Sequence, residues 1–268
     1  MLQLTSTGAV VDQIAHARHI AAEAYTLHGP VLFALEEAAR RGAGVRVRLE
    51  GRPFDDPKGR LAAENARLAG DLRACGAEAT LTHPLHAKAL DLDGVLYLDE
   101  KNWRRNDLVL RENDATEAGG VAASKHEALS REAQLLDDAR RGDDAVVESE
   151  SFGCCNAVYE ALSKLGRDGA SPRLLVAQRE LRGNKREAGV LEKLVNDGVR
   201  VRVCKDSEKL AVAGGGAWLG SANATAAFGE SDMIDWGLRT SDPAIVSAVR
   251  TRLETAWDGA AEFKGRKG

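Results

Sequence analysis

Two periods alternate along this chain. Val31, Leu32, Leu35, Ala38 and Ala39 recur at three- and four-residue steps up to Gly42, which puts them on one face of a helix. Residues 45–49 then alternate apolar and basic with period two, as a strand with one buried face does. A second helix is expected to open at Asp56-Pro57, a capping side chain followed by a proline, and to stop at Gly76. The strand-like run 78–82 follows and delivers the chain to His86. Short strands interleaved with amphipathic helices predict an α/β layered fold.

The order of elements then returns, so the chain reads as an internal repeat. Residues 145–147 and 150–152 match 21–23 and 23–25, which aligns Glu150 with Glu23. Val158, Ala161, Leu162 and Leu165 match Val31, Ala34, Leu35 and Ala38. Residues 173–176 match 45–49, 185–197 match the helix begun at Asp56, and 198–203 match 76–82. In this register Ser207 takes the place of His86, and the interval to the next asparagine, Asn102 or Asn223, is 16 residues in both copies. The joining segment, 111–144, begins as a loop through Gly120 and becomes helical over 124–141, where Leu129, Leu135 and Leu136 are candidate core contacts. The expected division is therefore 1–120 and 121–268.

Composition narrows the partners. At 268 residues the chain has ample length for a buried core. A formal net charge of -4 denies it the global basic field of a protein that coats nucleic acid, so polyanion binding must be local. No leader-like or 18-residue apolar run is present, so no membrane span is predicted and a cytoplasmic monomer is expected. Aromatic residues make up 4% of the chain, too few to suggest a membrane-docking surface. Cys75, Cys154, Cys155 and Cys204 lack paired C-x2-C spacing and are read as reduced thiols; no metal and no cofactor is expected.

The candidate chemistry lies at His86, Lys88 and Asp93, spaced H-x-K-x4-D, with Lys209 and Gly220-Ser221-Ala222-Asn223 as the corresponding residues of the second copy. On these residues the chain resembles the phospholipase D superfamily, from about residue 11 to residue 257. The resemblance implies two α/β/α copies related by a pseudo-twofold axis, one metal-independent active site to which both contribute, and a monomeric pseudo-dimer. It implies His86 as the nucleophile, with Lys88, Lys209, Asn102 and Asn223 on the phosphate and Ser221 assisting. The chemistry suits those residue types: preorganised ammonium and amide donors neutralise an anionic diester, and an imidazole splits one hard displacement into two easier ones.

The sequence departs from that pattern in three places. Asp99-Glu100-Lys101-Asn102 stands where Gly-Ser-x-Asn would be usual. Ser207 replaces the partner histidine, and a hydroxyl cannot act as imidazole does in general acid catalysis. Gly214 replaces the second aspartate, which leaves Glu23 and Glu150 as candidate orienting acids for His86. Gly214-Gly215-Gly216 reads as a hairpin turn, not a phosphate cradle, because no helix follows. His83 could approach the same pocket, and Arg104-Arg105 reads as a solvated pair, whereas His16, His19, His28 and His126 are ordinary surface or core residues. Three functions stay open. One is a phosphodiesterase acting through a phosphohistidine, on nucleic acid or a small phosphodiester in preference to a phospholipid. The others are a pseudoenzyme that binds a phosphate-bearing ligand or serves as a scaffold, and a phosphoryl or phosphatidyl transferase.

Overall fold

The computed structural model describes residues 2–54, 56–103, 108–112, 122–139, 143–182, 184–205, 207–225 and 233–265. The Arg104-Arg105 pair and the expected boundary near 120 lie outside them. The chain forms two units: residues 1–124 with 232–236, and residues 125–231 with 237–268.

In the first unit, strands β2 (His19–Ala24), β3 (Gly44–Glu50) and β4 (Glu78–Thr82) are parallel. β5 (Ala89–Leu92), β6 (Val95–Asp99), β7 (Leu108–Glu112) and β1 (Leu2–Ser6) continue antiparallel, in the sheet order β1-β7-β6-β5-β2-β3-β4, and β8 (Ala122–Ser124) pairs antiparallel with residues 234–236. Helices Thr7–Ile14, Gly29–Arg40 and Arg60–Ala74 pack on this sheet. The apolar stripe read from the sequence is the helix face that builds the core: Val31, Leu35 and Ala38 are fully buried, with Leu32 and Ala39 nearly so. β3 alternates as its period demands, with Val45, Val47 and Leu49 inward and Arg46 and Arg48 outward.

The helix expected to open at Asp56-Pro57 begins instead at Arg60, after Gly59 in a left-handed conformation. Asp56 still supplies the cap: its carboxylate accepts from the backbone N–H of Arg60 and of Ala62. The capping signal is therefore correct, and the intervening residues form a turn closed by Gly59 N–H donating to the Asp56 carbonyl.

The second unit repeats the topology. β9 (Val146–Ser149), β10 (Arg173–Ala177) and β11 (Arg200–Cys204) are parallel, while β12 (Leu210–Ala213), β13 (Gly216–Gly220) and the end of β14 (Ile234–Thr240) follow antiparallel. The order β11-β10-β9-β12-β13-β14 reproduces β4-β3-β2-β5-β6-β7, with β15 (Ala261–Glu262) added beside β11. Helices Lys125–Asp137, Ala157–Arg167, Lys185–Asn196 and Pro243–Gly259 flank it, and Leu129, Leu135 and Leu136 are buried as read. The α/β architecture with an internal repeat is thus present. The Gly214 turn joins β12 to β13, which makes it the hairpin expected.

One buried acid of this unit carries a measurable consequence. Glu187 caps its own helix together with Asn184 and accepts the Phe152 N–H at 2.7 Å. Burial pushes its carboxyl up to about 7, opposed by the Phe152 hydrogen bond and aided by Glu180. An acid whose folded pKa exceeds its unfolded value holds a proton that the unfolded chain releases, so stability falls as pH rises from about 4.5 to about 7 and levels above. Urea melts at pH 5 and pH 8 are expected to differ by on the order of 2 kcal/mol from this group, and Glu187→Gln to reduce that difference. Buried Glu132, raised by desolvation, sustains the remainder in the same direction. An unchanged pH dependence in the variant removes Glu187 from the account.

Candidate functional site

The extended segment that leads into β5 carries both His86 and Lys88. It is anchored at its start by Glu50, at the end of β3, which is fully buried. One Glu50 oxygen accepts from Leu85 N–H at 2.6 Å, and the other takes Arg52 N–H at 2.5 Å and His83 Nδ1 at 2.8 Å. Asn65 ties down the neighbouring backbone by donating to the carbonyls of Tyr25 and Glu50. At the other end His86 N–H donates to the Ile234 carbonyl at 2.9 Å. The histidine backbone is therefore fixed on both sides before its side chain is considered.

The imidazole is fixed as well. His86 Nδ1 lies 2.7 Å from Asp235 Oδ1, and Nε2 lies 3.1 Å from Lys88 Nζ. An ammonium has only protons to give, so Nε2 accepts from Lys88; Nδ1 then carries the proton and donates to Asp235. The Tyr25 ring meets the imidazole edge-on at a centroid distance of 5.0 Å, and the Lys88 ammonium lies 5.9 Å from the centre of the same ring. Asp235 and Lys88 are 1% exposed, whereas the His86 side chain keeps 21%: its two partners are buried and the ring is partly exposed.

Asp235, the partner of His86, is the site residue that the motif spacing does not reveal. It follows Asn223 by twelve residues, outside any motif, and the only local signal is a lone acid between apolar neighbours in Met233-Ile234-Asp235-Trp236. It holds the place for which Glu23 and Glu150 were candidates. Glu23 instead pairs with Arg48 at 2.6 Å. Glu150 pairs with Lys209 at 3.2 Å and contacts Arg179. The strand register also corrects the matching of these two acids. Ala89 faces Glu23, whereas its counterpart Leu210 faces Glu148, so Glu148 corresponds to Glu23 and Glu150 occupies the position of Tyr25.

Asp93 stands apart from this group. With Gly94 it forms the β5–β6 turn, both residues at positive φ (52° and 86°), at the far end of a four-residue strand from Lys88. At roughly 3.3 Å per residue that is more than 10 Å away. Its carboxylate accepts the N–H groups of His19, at 2.8 Å, and Arg18, and those bonds hold it below the usual carboxylate range. The aspartate of the motif therefore shapes a hairpin, and Gly214 at the equivalent turn preserves the hairpin without it.

Asn102 follows a tight loop in which Asp99 Oδ2 accepts from Lys101 N–H and Trp103 N–H. The two acids that stand in place of Gly-Ser are fully buried, with Glu100 4.0 Å from Lys101 Nζ. The Asn102 side-chain oxygen has no hydrogen-bond partner among the described residues.

In the second unit Lys209 is 2% exposed and its carbonyl accepts Gly220 N–H at 3.2 Å, which brings β12 beside the Gly220–Asn223 segment. Ser221 is fully buried there. Ser207 is buried, and neither its hydroxyl nor the Asn223 side-chain oxygen has a hydrogen-bond partner among the described residues. Glu150 thus holds two cations of this unit, Lys209 and Arg179. The four cysteines form no disulfide. Among the described residues no three His, Cys, Asp or Glu side chains cluster as metal ligands would, and no helix is long and apolar enough to cross a membrane.

No protein-family model and no curated protein matches the sequence. Solved structures do. Phosphatidylserine synthase of Haemophilus influenzae aligns over 98% of this chain and 88% of its own, with a TM-score of 0.68 at 10% identity. Polyphosphate kinase of Porphyromonas gingivalis aligns over 99% of this chain, with a TM-score of 0.65 at 15% identity. That match takes in 48% of the kinase, so the chain spans about half the kinase's length. A phospholipase D family member, Nuc, of Salmonella typhimurium aligns over 49% of this chain and 88% of its own at 14% identity, with a TM-score of 0.43.

Proposed function

We propose that this chain, which has the phospholipase D fold, is a phosphodiesterase that works through a phosphohistidine on His86. The observation that carries the reading is the His86 ring held at both nitrogens. Asp235 accepts the Nδ1–H hydrogen bond, which puts the nucleophilic lone pair on Nε2, beside the Lys88 ammonium and on a ring that keeps 21% of its side chain exposed. In the first step Nε2 attacks phosphorus and the bond to one ester oxygen breaks. Positive charge that develops on the imidazole is stabilised by the Asp235 carboxylate, and the charge on phosphate oxygens by Lys88. Water then attacks phosphorus and releases a proton to solvent, while the N–P bond breaks and its electron pair returns to Nε2.

Asn102 is a further phosphate donor in this reading, and Lys209, Ser221 and Asn223 form the anion-binding group of the second unit. The substrate is a nucleic acid or small phosphodiester, since charge binding must be local and aromatic content is low. A binding protein without turnover is the second reading, favoured by Ser207, which lacks an ionisable proton at the place of the partner histidine.

The test uses bis(p-nitrophenyl) phosphate, whose leaving group departs without a proton. Wild-type protein is expected to release nitrophenol, and rapid quench is expected to trap a phosphoryl-protein that is labile to acid and stable to base, as an N–P bond is. Absence of both turnover and trapped phosphoryl group sinks the reading. Phosphate binding lost in Lys88→Ala would then leave the binding protein.

A further inference from the structure

We infer that His83 is the second catalytic imidazole, the general acid that protonates the departing oxygen and then the base that activates water. This rests on the reading of His86 as nucleophile and supplies what Ser207 cannot. His83 Nδ1 lies 2.8 Å from Glu50 Oε1, and Glu50 has none of its side chain exposed while His83 has 41%. Glu50 is immobile, since the same carboxylate takes Leu85 N–H and Arg52 N–H. With Nδ1 committed to Glu50, the His83 ring can turn only its other nitrogen, Nε2, outward. His86 shares the tether, with Nδ1 on a buried carboxylate, and its Nε2 lies beside the Lys88 ammonium.

Two carboxylate-tethered imidazoles therefore stand three residues apart on one segment of one unit. The chain bends at His83 and Pro84, and three residues separate the two α-carbons by at most about 11 Å, a span that a single phosphodiester with its two ester groups can bridge between the rings. Glu50 acts through His83 and is a positioning residue.

The proton balance closes. Doubly protonated His83 gives its Nε2 proton to the leaving alkoxide as the P–O bond breaks and His86 Nε2 bonds to phosphorus. Neutral His83, its Nδ1 proton still on Glu50, then takes a proton from water as the water oxygen attacks phosphorus and the N–P bond breaks. His83 ends protonated, His86 neutral, and the diester has become an alcohol and a monoester.

The experiment compares bis(p-nitrophenyl) phosphate with diphenyl phosphate, two diesters of similar shape whose leaving groups differ in their need for a proton. His83→Asn keeps an amide donor to Glu50 while it removes Nε2, and circular dichroism checks that the fold is kept. The variant is expected to lose about 10²- to 10³-fold in turnover of diphenyl phosphate and no more than a few fold on the nitrophenyl ester. Added imidazole is expected to restore part of the diphenyl rate in His83→Ala, since the site is open. Equal losses on both substrates, or none on either, overturn the proposal while leaving His86 in place. A wild type that cleaves only the nitrophenyl ester lacks an acid and overturns it too. A wild type inert on both esters removes the nucleophile reading itself, and this inference with it.

Discussion

Asp235→Asn is expected to cost about 10²- to 10⁴-fold in turnover of bis(p-nitrophenyl) phosphate, close to the loss in His86→Ala, with little change in the fold. The loss comes from a change of tautomer. With Asp235 in place, Nδ1 holds the proton and the lone pair sits on Nε2, where it attacks phosphorus as the Lys88 ammonium turns to the phosphate. An asparagine amide can turn its NH₂ toward the ring, which makes Nδ1 the acceptor and moves the proton to Nε2. The imidazole then points a proton at phosphorus instead of a lone pair. It also loses the anion that would stabilise the charged phosphohistidine. The volume is unchanged, and the His86 N–H bond to the Ile234 carbonyl stays, so the variant tests charge and not packing. Steady-state rates for wild type, Asp235→Asn and His86→Ala, with circular dichroism as control, decide it. A rate for Asp235→Asn within about threefold of wild type would mean that the proton on Nδ1 is placed by something else.

What the sequence revealed, and what it hid, follows the range of each interaction. The faces of helices and strands are set by neighbours three, four or two residues away, so Val31 to Ala39 and Val45 to Leu49 could be read directly. The helix cap at Asp56 was readable for the same reason, and its start was missed because Gly59 inserts a turn that only the folded backbone reveals. The motif histidine and lysine share one extended segment, so their spacing sufficed to bring them together. Asp235 was invisible because the strand that carries it lies 149 residues from His86 and nothing in its immediate sequence distinguishes it.

The matched pair of acids misled for a subtler reason. Residues 150–152 resemble 23–25 in type, but strand register, not residue type, fixes equivalence, and a shift of two residues keeps every side chain on its own face. Glu150 therefore stands beside Lys209 as Tyr25 stands beside Lys88. The first copy places an aromatic ring by its lysine and the second a carboxylate. That difference bears on function, because the carboxylate competes with any anion for Lys209.

Gly166→Ala is expected to destabilise the second unit by about 2–3 kcal/mol, whereas Ala39→Gly at the matching place in the first unit costs about 1 kcal/mol. The repeat makes this comparison possible. Each unit packs a helix end against the turn that precedes its third parallel strand, at Gly76 in one and Gly198 in the other, both at positive φ. In the first unit a side-chain carbon added at Gly76 would lie 3.6 Å from the Ala39 carbonyl, an ordinary contact. In the second, one added at Gly198 would lie 2.8 Å from the Gly166 carbonyl, and one at Gly166 would lie 2.4 Å from the Asp197 carbonyl. Both obstacles are backbone, so neither can swing aside, and the two segments must separate. The parting would separate the end of the Ala157–Arg167 helix from the turn that leads into β11. Ala39→Gly removes only a methyl group and adds backbone freedom. Urea melts of the two variants test the asymmetry, and equal losses would mean that the tighter approach in the second unit does not govern its stability.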